Sequence, residues 1–173
     1  MFGLYASAVS ITPGFAAATR PEKSPSGRVA VEGGVIETFV VGTDEDEWVA
    51  LNARTFANHP EQGKVTKADV EQLETEKWFS ADNFLVLRRD DRMIGYCWLK
   101  VENNEGEFYV VGVDPDLHGE HLGSFLFDAG LARLADLGIR HAHLYVEADN
   151  EPALRLYRAR GFEQDAIDIQ YRV

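Results

Sequence analysis

The chain has 173 residues, enough for one domain with its own core. Its formal net charge of -12 disfavours nucleic acid and anionic membrane surfaces as partners. The single cysteine, Cys97, allows no internal disulfide and suits a reducing, cytoplasmic setting, and no apolar run approaches the roughly 18 residues of a membrane span.

Residues 1–28 are rich in Ala, Ser, Pro and Gly, and Pro13, Gly14, Pro21, Pro25 and Gly27 interrupt any periodic pattern. This segment reads as a flexible leader, followed by one domain over 29–173. No basic residue precedes its mildly apolar start, which argues against a secretory signal. Val35 to Val41 is a β-type run, and Asp44 begins a helix carrying Trp48, Leu51 and Phe56. His59 to Gly63 is a loop, and Thr66 caps a second helix with Val70 and Leu73 on one face. Phe84 to Leu87 and Met93 to Val101 are strands around an Arg89–Arg92 turn. Asn103 to Gly106 is a further turn signal, and Glu107 to Val113 is the next strand. Leu122, Phe125, Leu126, Ala129, Leu134 and Leu137 share the face of a helix that Gly138 ends. His141 to Val146 is a strand, and Pro152 sits in the first turn of a helix ended by Gly161. Ile167 to Val173 alternates as a last strand. The order β-α-α-β-β-β-α-β-α-β predicts an α/β fold with a central sheet flanked by helices.

The most informative block is Glu107 to Ser124: a strand, a Gly-containing loop, then an amphipathic helix. Free backbone N–H groups converge at such a helix N-terminus and bind phosphate groups. The second informative block is Leu144 to Phe162, a strand leading through Asn150 into a short helix with Tyr157.

The element order and these two blocks resemble the GCN5-related N-acetyltransferase fold, over about residues 35–173. That family carries Gln/Arg-Gly-x-Gly-x-Gly/Ala after its fourth strand; here the loop reads His118-Gly119-Glu120-His121-Leu122-Gly123. His118 and His121 depart from the pattern. Glu120 places a carboxylate beside the expected pyrophosphate, a repulsion on the order of 1 kcal/mol. Within this family the sequence is most similar to the catalytic C-terminal half of mycothiol synthases. The residues carrying that resemblance are Phe56 to Gly63, Trp78-Phe79, Trp98, Lys100, Glu107 to Pro115 and Leu144 to Asn150. Those enzymes have two tandem acetyltransferase domains, and this chain has the length of one. Their His-Trp-Thr-Lys segment is Cys97-Trp98-Leu99-Lys100 here.

The resemblance implies transfer of an acetyl group from acetyl-CoA, a co-substrate, to a small-molecule amine. The acceptor it implies is the cysteinyl amine of Cys-GlcN-Ins, in a monomer or homodimer. Two rivals stand beside that reading: acetylation of another small amine or a protein N-terminus, and a non-catalytic acetyl-CoA-binding domain. By the resemblance Glu107 is the general base, against a solvated strand-end acid. Tyr157 is the general acid, against a core tyrosine at i, i+3 from Leu154. Val111, Gly112 and Val113 meet the pantetheine arm. His118, Gly119, Glu120, His121, Leu122, Gly123 and Ser124 hold the pyrophosphate. Asn150 bonds the pantetheine or caps its helix. His59, Glu61, Trp98, Lys100 and Glu147 are the candidates for acceptor binding, against ordinary packing or surface. Cys97 reads as a small apolar filler. His141 and His143 share a strand face without a visible third ligand, so no metal is expected.

Overall fold

A computed structural model describes residues 7–11, 29–31, 33–59, 61–146 and 150–167. Among the described residues eight strands form one mixed sheet: β1 (Ser7–Ile11), β2 (Val29–Val31), β3 (Gly34–Thr38), β4 (Phe84–Arg89), β5 (Arg92–Glu102), β6 (Glu105–Val113), β7 (Ala142–Val146) and β8 (Glu163–Ile167). Their spatial order is β2-β3-β4-β5-β6-β7-β1-β8. The described α-helices that cover the sheet are α1 (Glu45–Thr55), α2 (Lys67–Glu74), α3 (Leu122–Asp136) and α4 (Glu151–Arg158).

Strand alternation builds two cores. Leu85, Leu87, Cys97, Leu99 and Phe108 point to the face covered by Leu126, Phe127, Leu131 and Leu134 of α3 and Leu154 of α4. Phe84, Val86, Tyr96 and Trp98 point to the other face, against Trp48 and Leu51 of α1 and Val70 of α2. Trp98 is fully buried there, stacked on Phe84 at 4.3 Å and edge-on to Trp48 at 5.7 Å. It is therefore a core residue, which corrects its expected place among the acceptor contacts. Gly130 lets α3 lie close on the sheet, because a Cβ there would stand 2.6 Å from the Phe108 ring and 2.9 Å from Cys97 Sγ. Cys97 is wholly buried, and burial pushes its thiol up, which fits a packing role.

Local chemistry explains the joints. Asp90-Asp91 and Asn103-Asn104 all have positive φ, which Asn and Asp tolerate in two-residue hairpin turns. The second turn is shorter than expected, and Glu105 and Gly106 already belong to β6. Thr66 and Asp69 form a reciprocal capping box at the start of α2. Asp44 occupies the N-cap of α1, but its carboxylate is turned to Val40 N–H and to Arg88. Ser7–Ile11, inside the segment expected to be a leader, pairs with both β7 and β8. Five alternating residues suffice for a strand when neighbours supply both edges, and so short a run gives little signal by itself. The last described strand is Glu163–Ile167, and the expected strand beyond Ile167 lies outside the described residues. Among the described residues no helix is long and apolar enough to cross a membrane.

Two carboxyls meet where α1 and α2 pack. Glu45 is buried, with one oxygen accepting from Gly42 N–H, and the Glu74 carboxyl lies beside it. Burial, then the Glu45 charge, push the Glu74 carboxyl up to about 7. A carboxyl raised on folding binds its proton more tightly in the folded state, so stability falls as pH rises from about 4.5 toward 7. Glu74→Gln is expected to flatten that part of the stability-pH curve and to raise the melting temperature at pH 8 more than at pH 5. Thermal unfolding across this range checks it, and parallel curves for the two proteins would contradict it.

Candidate active site

β6 and β7 run parallel but pair only at Gly106↔Ala142, Glu107↔His143 and Phe108↔Leu144. Beyond that rung the strands part, while β6 stays paired with β5 as far as Val113. The register shifts between Trp98 and Leu99, so Tyr109 is an extra residue on β6, a bulge. Tyr109 packs on Trp98 and Trp78 at 5.4 and 5.3 Å. Among the described residues, the parting leaves β7-facing N–H and C=O groups from Tyr109 to Gly112 without a strand partner. A cavity of about 480 Å³ opens there, bordered by β6 residues Phe108 to Val111, β7 residues Leu144 to Val146, Asn150, Tyr157, and the end of α1 with the loop after it.

Of the residues singled out in the sequence, His59, Val111, His118, Asn150 and Tyr157 line this cavity. Tyr157 packs its ring on Phe127 at 4.9 Å, and its hydroxyl has no hydrogen-bond partner among the described residues. Burial pushes its phenol up to about 12, so it is protonated at neutral pH and able to donate. Asn150 does two things: it borders the cavity, and its Oδ1 accepts from Ala153 N–H at 3.3 Å as the N-cap of α4.

His59 is set by a buried network. Tyr96 hydroxyl donates to Asn52 Oδ1 at 2.9 Å, Asn52 Nδ2 donates to the Gln62 carbonyl at 2.6 Å, and Gln62 Nε2 donates back to Asn52 Oδ1 at 3.1 Å. The N–H of Gln62 then donates to His59 Nδ1 at 2.9 Å, as does that of Glu61 at 3.3 Å. With Nδ1 accepting, a neutral His59 carries its proton on Nε2.

The phosphate loop begins with Asp114, which is 1% exposed. Its carboxylate takes two hydrogen bonds from Arg54, at 2.8 and 3.1 Å, and one from Arg92 at 2.6 Å. Burial alone would raise this carboxyl, but the Asp116 N–H and the two guanidiniums hold it below the usual carboxylate range. Arg54 also borders the cavity and bonds Asp116, tying the end of α1 to the loop. Gly119 has φ +94, and a Cβ there would meet nothing within 4 Å. His121 is left-handed at φ 60, and the N–H groups of His121, Leu122 and Gly123 have no partner among the described residues. A Cβ on Gly123 would touch only Val113, at 3.8 Å. This open, donor-rich cradle fits a pyrophosphate. Glu120 is paired with Arg89 at 2.7 Å, and Arg89 also donates to the Gly33 carbonyl at 2.7 Å. The repulsion expected from Glu120 is thereby offset by a neighbouring cation.

Other expected contacts fall elsewhere. Gly112 does not border the cavity; its smallness accommodates Tyr96, whose ring would stand 2.5 Å from an added Cβ. Val113 packs toward α3, and its carbonyl accepts from Thr55 at 3.3 Å. The Leu122 residue is buried in the core and can contribute only its N–H to the cradle, and Ser124 lies in the first turn of α3, where its N–H donates to the His121 carbonyl. Glu61 is exposed and outside the lining. Lys100 lies over the Trp78 ring at 5.3 Å and 3.6 Å from Glu102, also outside the lining. Glu107 stands one residue before the lining of β6, beside His143 at 3.6 Å. Glu147 lies outside the described residues. Among the described residues no three His, Cys, Asp or Glu side chains come together as a metal site. Sequence reading missed Arg54, Gln62, Tyr109 and Arg89. The Arg54–Asp114 pair spans 60 positions, and no spacing rule reaches that far.

Residues 46–162 match the model of the acetyltransferase (GNAT) family, and the chain belongs to that family. It is 49% identical over 140 residues to a mycothiol acetyltransferase of Clavibacter sepedonicus, covering 80% of this chain and 46% of that protein. A mycothiol acetyltransferase of Sanguibacter keddieii is 42% identical over 157 residues, covering 87% of this chain and 50% of that protein. The chain thus spans about half the length of these curated relatives. In fold it is similar to a GCN5-related N-acetyltransferase from Sphaerobacter thermophilus, with TM-score 0.70, 22% identity, and coverage of 92% of this chain and 48% of that one. It is also similar to the ribosomal-protein-S18-alanine N-acetyltransferase of Escherichia coli, with TM-score 0.62, 21% identity, and coverage of 73% and 75%.

Asn52→Ala is expected to leave the Tyr96 hydroxyl and the Gln62 amide without buried partners. The loss should be about 2–4 kcal/mol in urea unfolding. In the folded variant, the His59 ring nitrogens should lose the fixed tautomer in nitrogen-15 spectra. An unchanged His59 signal would contradict the proposed chain of hydrogen bonds.

Proposed function

We propose that the chain transfers the acetyl group of acetyl-CoA to a small-molecule primary amine, the cysteinyl amine of Cys-GlcN-Ins. The observation that carries the transfer chemistry is Tyr157, held protonated by burial, on the lining of a cavity at the parted edges of β6 and β7. The acceptor rests on the relatives, which are 42–49% identical and named mycothiol acetyltransferases. Acetyl-CoA supplies an activated acyl carbon and a thiolate leaving group.

Unpaired β6 groups between Tyr109 and Gly112 receive the pantetheine amides, and an N–H among them polarises the thioester carbonyl. The N–H groups of His121 to Gly123 receive the pyrophosphate, with Gly119 leaving the approach open. Glu107 takes a proton from the acceptor ammonium, directly or through water. The amine lone pair forms the C–N bond, the C–S bond breaks, and Tyr157 gives its proton to sulfur. His59, whose Nδ1 accepts from the Gln62 N–H, borders the cavity and is held there in one orientation. The balanced Glu120–Arg89 pair and the protonated Tyr157 favour an enzyme over a non-catalytic binding domain.

Tyr157→Phe should lower kcat by about 10²-fold or more with little change in acetyl-CoA affinity. Normal turnover would assign Tyr157 to packing. Glu107→Gln should depress kcat most at low pH, where the amine is protonated, with the defect shrinking above the amine pKa. Equal defects at every pH would point to positioning instead. Cys-GlcN-Ins should exceed free cysteine and generic amines in kcat/KM, because binding energy from the sugar is used in the transition state. An acceptor profile without that preference would remove the mycothiol assignment and leave acetyl transfer standing.

A further inference from the structure

The charged row that crosses the sheet at Glu107 does not stop there. Lys100 on β5 and His143 on β7 are the register partners of Glu107 on either side. The rung Glu107↔His143 is next to Phe108↔Leu144, the last before the strands part. His143 Nε2 stands 3.6 Å from Glu107 Oε2, and the two side chains are 30% and 16% exposed, so Glu107 is the inner member and His143 the outer. Lys100 is drawn the other way, to Trp78 and Glu102. The His143 ring meets Tyr145 edge-on at 5.7 Å, and Tyr145 borders the cavity. A carboxylate that accepts a proton in each turnover must lose it before the next, and a half-enclosed one needs a route for that proton.

We infer that His143 is a positioning residue for the transfer reaction: it orients the Glu107 carboxylate and relays the proton that Glu107 collects out to water. This rests on the reading of Glu107 as the base. One N–H bond of the acceptor ammonium breaks, its electron pair stays on nitrogen, and the proton forms an O–H bond on Glu107. That proton moves to Nε2 of neutral His143, which carries its own proton on Nδ1; the imidazolium formed releases its Nδ1 proton to water, and proton exchange with solvent returns the ring to the Nδ1–H tautomer before the next turnover. The second amine proton leaves nitrogen as the C–N bond forms and restores the one Tyr157 gives to sulfur. Nothing is oxidised or reduced, and one proton reaches solvent per turnover.

The relay needs His143 neutral when the proton arrives. Charged groups facing it are Glu107 and Glu105 on β6 and Lys100 on β5, with Tyr145 on its own strand. β1, its neighbour on the other side, holds no titratable residue in Ser7–Ile11. The Glu107 carboxylate, 3.6 Å away, holds His143 above its ordinary 6.5, against partial burial, with Glu105 adding and Lys100 opposing. Below its titration point His143 already carries the proton and the relay is blocked.

The test joins kinetics to a titration that needs no turnover. His143→Gln, with unfolding temperature checked, is assayed with acetyl-CoA and Cys-GlcN-Ins, and His143 is titrated by NMR in the wild type and in Glu107→Gln. Wild-type kcat should fall on the acid side through an inflection above pH 6.5. His143→Gln should lose that inflection and about tenfold in kcat, with both KM values within about twofold. In Glu107→Gln the His143 midpoint should drop toward that of a free imidazole. A His143→Gln profile that superimposes on the wild type overturns the relay. A His143 midpoint indifferent to Glu107→Gln overturns the pair itself. A wild type that gives no turnover while its His143 midpoint still depends on Glu107 refutes the acetyl-transfer reading, and the relay falls with it although the pair stands.

Discussion

The site depends on one constraint: a strand in the middle of a sheet cannot leave its backbone groups unpaired without a partner to receive. β6 is paired along its whole length with β5 but only over Gly106 to Phe108 with β7. Past that rung its β7-facing groups border the cavity without a strand partner among the described residues, and leaving such groups unsatisfied costs free energy. An extended ligand with amides at strand spacing satisfies them, in the manner of an added strand. The parting is held by packing on both sides. Phe108 is anchored on Phe127 at 4.1 Å, and the bulged Tyr109 packs its ring on Trp98 at 5.4 Å. The cavity is thus a consequence of how the two cores grip β6, with Tyr157 of α4 closing its α3-facing side.

Charge is then distributed around that opening in pairs. Asp114 ties Arg54 of α1 and Arg92 of β5 to the start of the phosphate loop. Arg89 meets Glu120 in the loop itself. Glu107 meets His143 at the last rung. For a chain of net charge -12 these pairs matter because they cancel the carboxylates around the loop, so that the N-terminus of α3 with its open N–H groups would supply the attraction for a ligand's phosphates. The exposed pairs contribute little to stability, and their value is in fixing geometry.

Much of the element order was legible because its signals are local. The capping box at Thr66, the Asn103-Asn104 turn, Pro152 in the first turn of α4 and Gly161 after it each depend on residues within a few positions. The strand-loop-helix from Glu107 to Ser124 was legible for the same reason, as were Tyr157 and Asn150 at the cavity. What was not legible depends on tertiary partners. Trp98 in a strand fits a pocket wall as well as a core, and only the stack on Phe84 decides between them. Arg89 and Glu120 stand 31 positions apart, and nothing near Glu120 in the chain announces its cation. His143 was weighed with His141 as a metal pair because alternation places both on one face, whereas its partner is Glu107 across the sheet. The strand Ser7–Ile11 was obscured by the Pro- and Gly-rich composition around it.

The most direct measurement is a crystal structure with CoA bound. The pantetheine amides should pair with β6 between Tyr109 and Gly112, the pyrophosphate should meet the N–H groups of His121 to Gly123, and the sulfur should lie within about 4 Å of the Tyr157 hydroxyl. A CoA bound elsewhere, with the β6 edge left unfilled and Tyr157 remote from sulfur, would contradict the account at its base.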